Sequence, residues 1–169
     1  MMNICIVQPN RYTYSETFIR RHIAMLSASH NVSLFYPYGD GFGNRDGPFL
    51  KKAGLVRRAG RSMMRRLFRV DAEYFTRKAT VSRLIQGNTN VVLAEYGQMG
   101  VHMLPACKEA DIPLVVHFHG YDAYYGPVLQ EYRSRYLEMF RYAAKIISVS
   151  LDMTNQLAAL GCPKEKICL

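Results

Sequence analysis

The sequence predicts an α/β fold: a parallel sheet with helices on both faces. Short apolar runs without in–out alternation recur along the chain, and segments of helical periodicity separate them. Gly, Pro, Asn and Asp punctuate the joins. A length of 169 residues with 49% apolar content suits one domain with a real core.

Asn3 to Gln8 form an apolar run stopped by Pro9, the pattern of a strand buried on both faces, with Cys5 as a small buried thiol. Thr13-Tyr14-Ser15-Glu16 matches a capping box, and Phe18, Ile19, Ile23 and Leu26 then recur at spacings of three and four, which predicts a helix with one buried face. Residues 32–36 read as a second strand, ended by Pro37 and a Gly/Asp/Asn-rich loop through Pro48. Asn90–Ala94 is a third strand, 101–110 a helix and Pro113–Phe118 a fourth strand. Residues 127–144 are strongly helical in pattern, Lys145–Ser150 is a fifth strand, and 151–160 a helix closed by Gly161. Glu165–Leu169 reads as the start of another strand.

Charge is distributed unevenly. The chain carries a net charge of +9, and residues 51–83 alone carry all of it, so the remaining residues balance to zero. This is a neutral domain with a basic insert at about 50–87. Within it Arg57, Arg61, Arg65 and Arg69 fall at four-residue intervals, one stripe if the segment is helical, with Val56, Met63, Met64, Leu67 and Phe68 on neighbouring faces. Like charges at that spacing repel by about 0.2–0.5 kcal/mol per pair unless anions offset them. A solvated face and a helix lying on an anionic membrane surface are the competing readings. Nucleic-acid binding is disfavoured, because Tyr74 and Phe75 lie outside the arginine stripe and no nucleic-acid module is matched. No apolar run approaches the length of a membrane-spanning helix, and the N-terminus has no basic stretch before an apolar one. The spacing of Cys5, Cys107, Cys162 and Cys168 suggests neither a zinc site nor a disulfide framework. A reducing cytoplasm is the expected setting.

In an open parallel sheet ligands bind beyond the carboxyl ends of the strands. The loop after the first strand, residues 9–15, is polar and delivers a helix N-terminus suited to an anion or sugar hydroxyls, with a plain helix cap as the alternative. Neither GxGxxG nor GxxxxGK[ST] is present, which argues against a dinucleotide cofactor or a P-loop nucleotide. After the third strand, Glu95 falls at the strand end, and in Tyr96-Gly97-Gln98-Met99-Gly100 two glycines allow close approach of another group; a simple turn competes. The fourth strand ends His117-Phe118-His119-Gly120-Tyr121-Asp122, with both histidines on one face and His119 at the carboxyl edge. His119 suits proton handling or hydrogen bonding to a phosphate or hydroxyl, whereas His117 reads as a satisfied histidine under the sheet. Asp122 orients His119 or a hydroxyl, or caps the following turn. No third ligand stands at useful spacing from the two histidines, so no metal is expected.

Ser15-Glu-Thr-Phe-Ile19, Ile112-Pro-Leu-Val-Val-His-Phe-His-Gly-Tyr-Asp122, and Ile147-Ser-Val-Ser150 followed by Leu157-Ala-Ala-Leu-Gly161-Cys-Pro-Lys-Glu-Lys-Ile167 resemble the N-terminal domain of family 4 glycosyltransferases. The resemblance runs from Met2 to Leu169, interrupted at 40–87. It implies a Rossmann-like domain forming the acceptor-side half of a GT-B enzyme that retains anomeric configuration. It implies a nucleotide-diphosphate sugar as donor substrate without further cofactor, and a glycan or lipid-linked acceptor. By resemblance His119 is the catalytic residue contacting donor sugar or phosphate. The resemblance also implies that Thr13, Ser15 and Glu16 line the acceptor side of the cleft; Glu95, Tyr96, Gly97, Gly120, Asp122 and Ser150, at the strand ends, are further candidate acceptor- or substrate-binding residues. The donor-binding C-terminal domain, with its basic pair and two glutamates separated by seven residues, is not in these residues; Glu131 and Glu138 are separated by six. The chain by itself is therefore expected to be inactive. The implied setting is polysaccharide or glycolipid assembly by a hexosyltransferase at the inner face of the cytoplasmic membrane. The rival reading is a non-catalytic α/β module that binds anionic membrane or a partner through its basic insert.

Overall fold

The computed structural model describes residues 1–11, 17–50 and 73–169. Its strands are β1 (Asn3–Val7), β2 (Asn31–Tyr38), β3 (Gly41–Asn44), β4 (Gly47–Pro48), β5 (Val91–Glu95), β6 (Leu114–His117), β7 (Lys145–Ile147) and β8 (Ile167–Cys168). Its helices are α1 (Thr17–Ser27), α2 (Tyr74–Gln86), α3 (Gly97–Ala110), α4 (Tyr121–Tyr124), α5 (Gly126–Tyr142) and α6 (Leu151–Ala159). None of these is long and apolar enough to cross a membrane.

The strands form one sheet in the order β4-β3-β2-β1-β5-β6-β7-β8. From β2 through β8 neighbouring strands run parallel, with Ile4 opposite Val32 on one side and Val91 on the other. The fully buried Cys5, Ile6 and Val7 account for the uniformly apolar pattern of β1. From β1 the chain moves outward to β2, then crosses back to β5 on the other side. The strands that follow β1 and β5 therefore lie on opposite sides of this pair, and this is the topological switch point where such sheets open a crevice.

The stretch expected as a loop through Pro48 is instead an antiparallel edge made by β3 and β4. Its glycines permit strand approach: a Cβ on Gly43 would lie 2.5 Å from the Gly47 carbonyl oxygen. The turn is held by Asn44, whose side-chain oxygen accepts the Asp46 N–H at 3.0 Å. The composition that reads as loop is thus what a tight edge hairpin requires.

Within the basic segment, α2 is integral to the fold. It buries Thr80, Val81 and Leu84, and its Arg77 and Lys78 pair with Glu109 of α3 at 3.1 and 2.7 Å. Arg57, Arg61, Arg65 and Arg69 lie outside the described residues.

The helix predicted over 101–110 starts at Gly97, four residues before its expected position. Its first turn has no local capping side chain; the Gly97 N–H is accepted at 2.7 Å by Asp122, twenty-five residues on. Both glycines of this turn admit close approach, but of the core itself. A Cβ on Gly97 would meet the Phe118 ring at 2.6 Å, and one on Gly100 the Met139 sulfur at 2.6 Å. The strand expected to reach Ser150 ends at Ile147, because Ser150 caps α6 by accepting the Met153 N–H at 3.0 Å. The short helix α4 goes unforeseen because it packs in the turn after β6 rather than showing a periodic face.

Candidate functional site

The chemistry converges on the carboxyl ends of β5 and β6. Glu95, the last residue of β5, is wholly buried and surrounded by three of the five histidines. Its Oε1 accepts from His22 Nδ1 at 2.9 Å. Its Oε2 accepts from His119 Nε2 at 2.7 Å and faces His117 Nδ1 at 3.3 Å. Parallel pairing places Glu95 directly opposite His117, and β6 hands on to His119 two residues later on the same face. His22 comes from the inward side of α1, one turn after the buried Ile19.

The rings pack as well as bond. Phe18 lies over His119 with ring centroids 4.3 Å apart, His117 is 4.1 Å and Tyr96 4.7 Å from it. Burial raises the Glu95 carboxyl, but hydrogen bonds from His117, His119 and His22 together outweigh it and hold the group down at about 2. Glu95 is therefore a buried carboxylate at neutral pH, and His119 is the ring it holds nearest.

Asp122 is the second fully buried acid here. Its Oδ2 accepts from Gly97 N–H and its Oδ1 from His119 N–H at 2.9 Å, tying the turn after β5 to the turn after β6. Tyr136, also buried, donates to the Asp122 carbonyl at 3.2 Å. Burial pushes the Asp122 carboxyl up, and the two backbone N–H groups only partly offset this. Asp122 thus orients His119 through its backbone while Glu95 orients the ring. Gly120 takes φ +104° at the start of α4; a Cβ there would touch nothing, so conformation rather than space calls for glycine. Tyr96 takes φ +78°, unusual for a residue with a side chain, and its N–H bonds the His117 carbonyl at 2.9 Å.

Of the residues singled out in the sequence, Glu95, Tyr96, Gly97, His119, Gly120 and Asp122 come together. Ser150 stands at the next strand end as a helix cap. Thr13, Ser15 and Glu16 lie outside the described residues. His22 was missed, although its position within the Phe18–Leu26 apolar stripe marks a polar group turned toward the core. His117 reads in the sequence as a satisfied histidine, and its partner is Glu95. The third donor that sequence spacing does not offer exists in space: donor atoms of His22, Glu95 and His117 lie within 4.8 Å of one another, with both histidine Nδ1 atoms turned to the carboxylate. The exposed tyrosines Tyr121, Tyr124 and Tyr125 follow Gly120; Tyr121 and Tyr125 stack at 4.8 Å, and Tyr124 donates to Asp152.

A pocket of about 560 Å³ lies between the β2–β3 turn, α2 and α3, lined by Pro37, Gly39, Thr76, Arg77, Met99 and His102. Burial, with Arg135 nearby, pushes the His102 imidazole down, and its Nε2 contacts the Tyr132 hydroxyl at 3.2 Å.

A family model described as Glycosyltransferase Family 4 matches residues 15–169. No curated protein matches the sequence. Among solved structures, the chain is similar to Anabaena Alr3699/HepE in complex with UDP and glucose (TM-score 0.61, 14% identity, 99% of this chain and 44% of that one). It is similar to UDP-N-acetylglucosamine 2-epimerase from Rickettsia bellii (TM-score 0.61, 14% identity, 99% and 44%). It is also similar to the lipopolysaccharide outer core galactosyltransferase WaaB (TM-score 0.54, 14% identity, 100% and 45%). The chain spans less than half the length of each of these.

Proposed function

The chain belongs to glycosyltransferase family 4, and we propose that it is the acceptor-side half of a retaining enzyme that moves a sugar from a nucleotide-diphosphate sugar to a glycan or lipid-linked acceptor. The observation that carries this reading is the Glu95-centred histidine cluster at the carboxyl edge, with His119 set between an ionised carboxylate and Gly120. Such a cluster orients an imidazole rigidly against a sugar or phosphate oxygen, and catalysis then rests largely on stabilising the departing diphosphate. UDP in the HepE structures supports a nucleotide sugar as donor. Family membership favours transfer over the epimerase chemistry of the R. bellii neighbour.

Donor binding and turnover require a second domain, so the 169-residue chain alone should release no nucleotide. The test is a protein in which a donor-binding domain follows these residues, assayed with a panel of nucleotide sugars and lipid-linked acceptors. The expected result is glycoside formation with retained configuration and a loss of roughly 10²-fold or more in kcat for His119→Ala. Sugar epimerised without transfer to an acceptor, or no reaction with any donor, would overturn it.

The arginine stripe fits attachment to the anionic inner face of the cytoplasmic membrane, within polysaccharide or glycolipid assembly. Replacing Arg57, Arg61, Arg65 and Arg69 together with Gln should abolish binding to anionic vesicles at low salt; unchanged sedimentation with the vesicles would remove the membrane role.

A further inference from the structure

A buried carboxylate ringed by three imidazoles constrains their protons. An ionised carboxylate only accepts hydrogen bonds, so each ring nitrogen facing it must carry a hydrogen. The facing nitrogens are His22 Nδ1, His117 Nδ1 and His119 Nε2. In water a neutral imidazole prefers its proton on Nε2, so His22 and His117 are held in the minor form and His119 in the major one.

We infer that Glu95 is a positioning residue that sets the tautomers of all three histidines, leaving His119 with a lone pair on Nδ1 to accept a hydrogen bond from a ligand hydroxyl. The ring is held from several directions. Glu95 takes Nε2–H at 2.7 Å, Phe18 lies over the ring, and Asp122 accepts the His119 backbone N–H. With Nε2 committed to Glu95, Nδ1 is the nitrogen left for a ligand. In the neutral ring it accepts from a hydroxyl and has no hydrogen to give to a phosphate oxygen, which selects the sugar over the diphosphate as the partner of His119. That choice of ligand rests on the glycosyl-transfer reading; the tautomers do not.

The experiment is a set of long-range nitrogen–proton correlation spectra on the histidine-labelled 169-residue chain, recorded at a pH where the nitrogen shifts themselves report neutral rings. His22 and His117 should show a protonated Nδ1 and a pyridine-type Nε2, and His119 the reverse. An Nε2–H form at His22 or His117, or an Nδ1–H form at His119, overturns the inference. In Glu95→Gln one oxygen becomes an NH₂ that cannot accept, so at least one of the three rings should change tautomer. Three unchanged tautomers in a variant with native amide dispersion would overturn the role of Glu95; if the variant does not fold, the wild-type spectra still decide. No sugar is needed in these spectra, so their failure is separate from failure to transfer one.

Discussion

Glu95 and Asp122 are both fully buried, both bonded, and both at the same edge of the sheet, yet their carboxyls shift in opposite directions. Burial pushes each upward. At Glu95 three side-chain donors outweigh that and stabilise the anion; at Asp122 two backbone amides do not. The difference lies in the donors as well as in their number. Imidazoles respond to a charge by protonation or reorientation, while backbone N–H groups belong to turns whose geometry is already set. Glu95 is thus the electrostatic centre of the site, and Asp122 is a tie between the turns that carry Gly97 and His119.

The largest test of that contrast removes the tie. Asp122→Ala leaves the buried Gly97 N–H and the part-buried His119 N–H without an acceptor, each worth about 1–3 kcal/mol, and should cost roughly 4 kcal/mol in urea unfolding. A loss below about 1 kcal/mol would mean that the turns hold themselves.

Next comes the pH dependence, where the two acids should act with opposite sign. Glu95 has a lowered folded value, so its stabilisation is present above its unfolded value near 4.5 and is lost as pH falls through about 2. The wild-type advantage over Glu95→Gln should therefore shrink by about 3 kcal/mol across that window. Asp122 has a raised folded value, so its contribution is greatest below the unfolded 3.8 and declines as pH rises through the folded value. Asp122→Asn should accordingly cost more at pH 3.5 than at pH 7. Parallel curves for the two variants would erase the distinction.

A smaller effect concerns packing beneath the tie. Gly97→Ala places a methyl against the Phe118 ring and the Tyr136 hydroxyl, at 2.6 and 2.8 Å, and should cost about 2 kcal/mol despite the better helix propensity of alanine. The smallest effect belongs far from the cluster. Lys108 and Glu138 pair at 2.7 Å while largely exposed, and Lys108→Met should change stability by less than about 0.5 kcal/mol.

The residues legible in the sequence were those whose position follows from one element. Glu95 at a strand end, His119 beside a glycine and Asp122 three residues later all declare themselves through strand alternation and turn chemistry. His22 did not, because a histidine in an apolar helical stripe acquires meaning only when its facing partner is known. The start of α3 is hidden for the same reason: its first N–H is accepted by an aspartate twenty-five residues away, and local capping signals cannot report that. The β3–β4 hairpin was lost because glycines needed for close strand approach look like glycines of a loop.

Read alone, the sequence establishes the alternation of buried strands and amphipathic helices, and hence the parallel α/β class, since periodicity and burial are properties of single segments. It also determined that the positive charge belongs to one stretch, although α2 shows that Arg77, Lys78 and Arg83 in that stretch ride on a core helix. That one carboxylate collects three imidazoles from α1, β6 and the turn beyond it follows only from the assembled sheet. Side-chain protons and charges are set by neighbours in space, and strand order, not chain order, chose those neighbours.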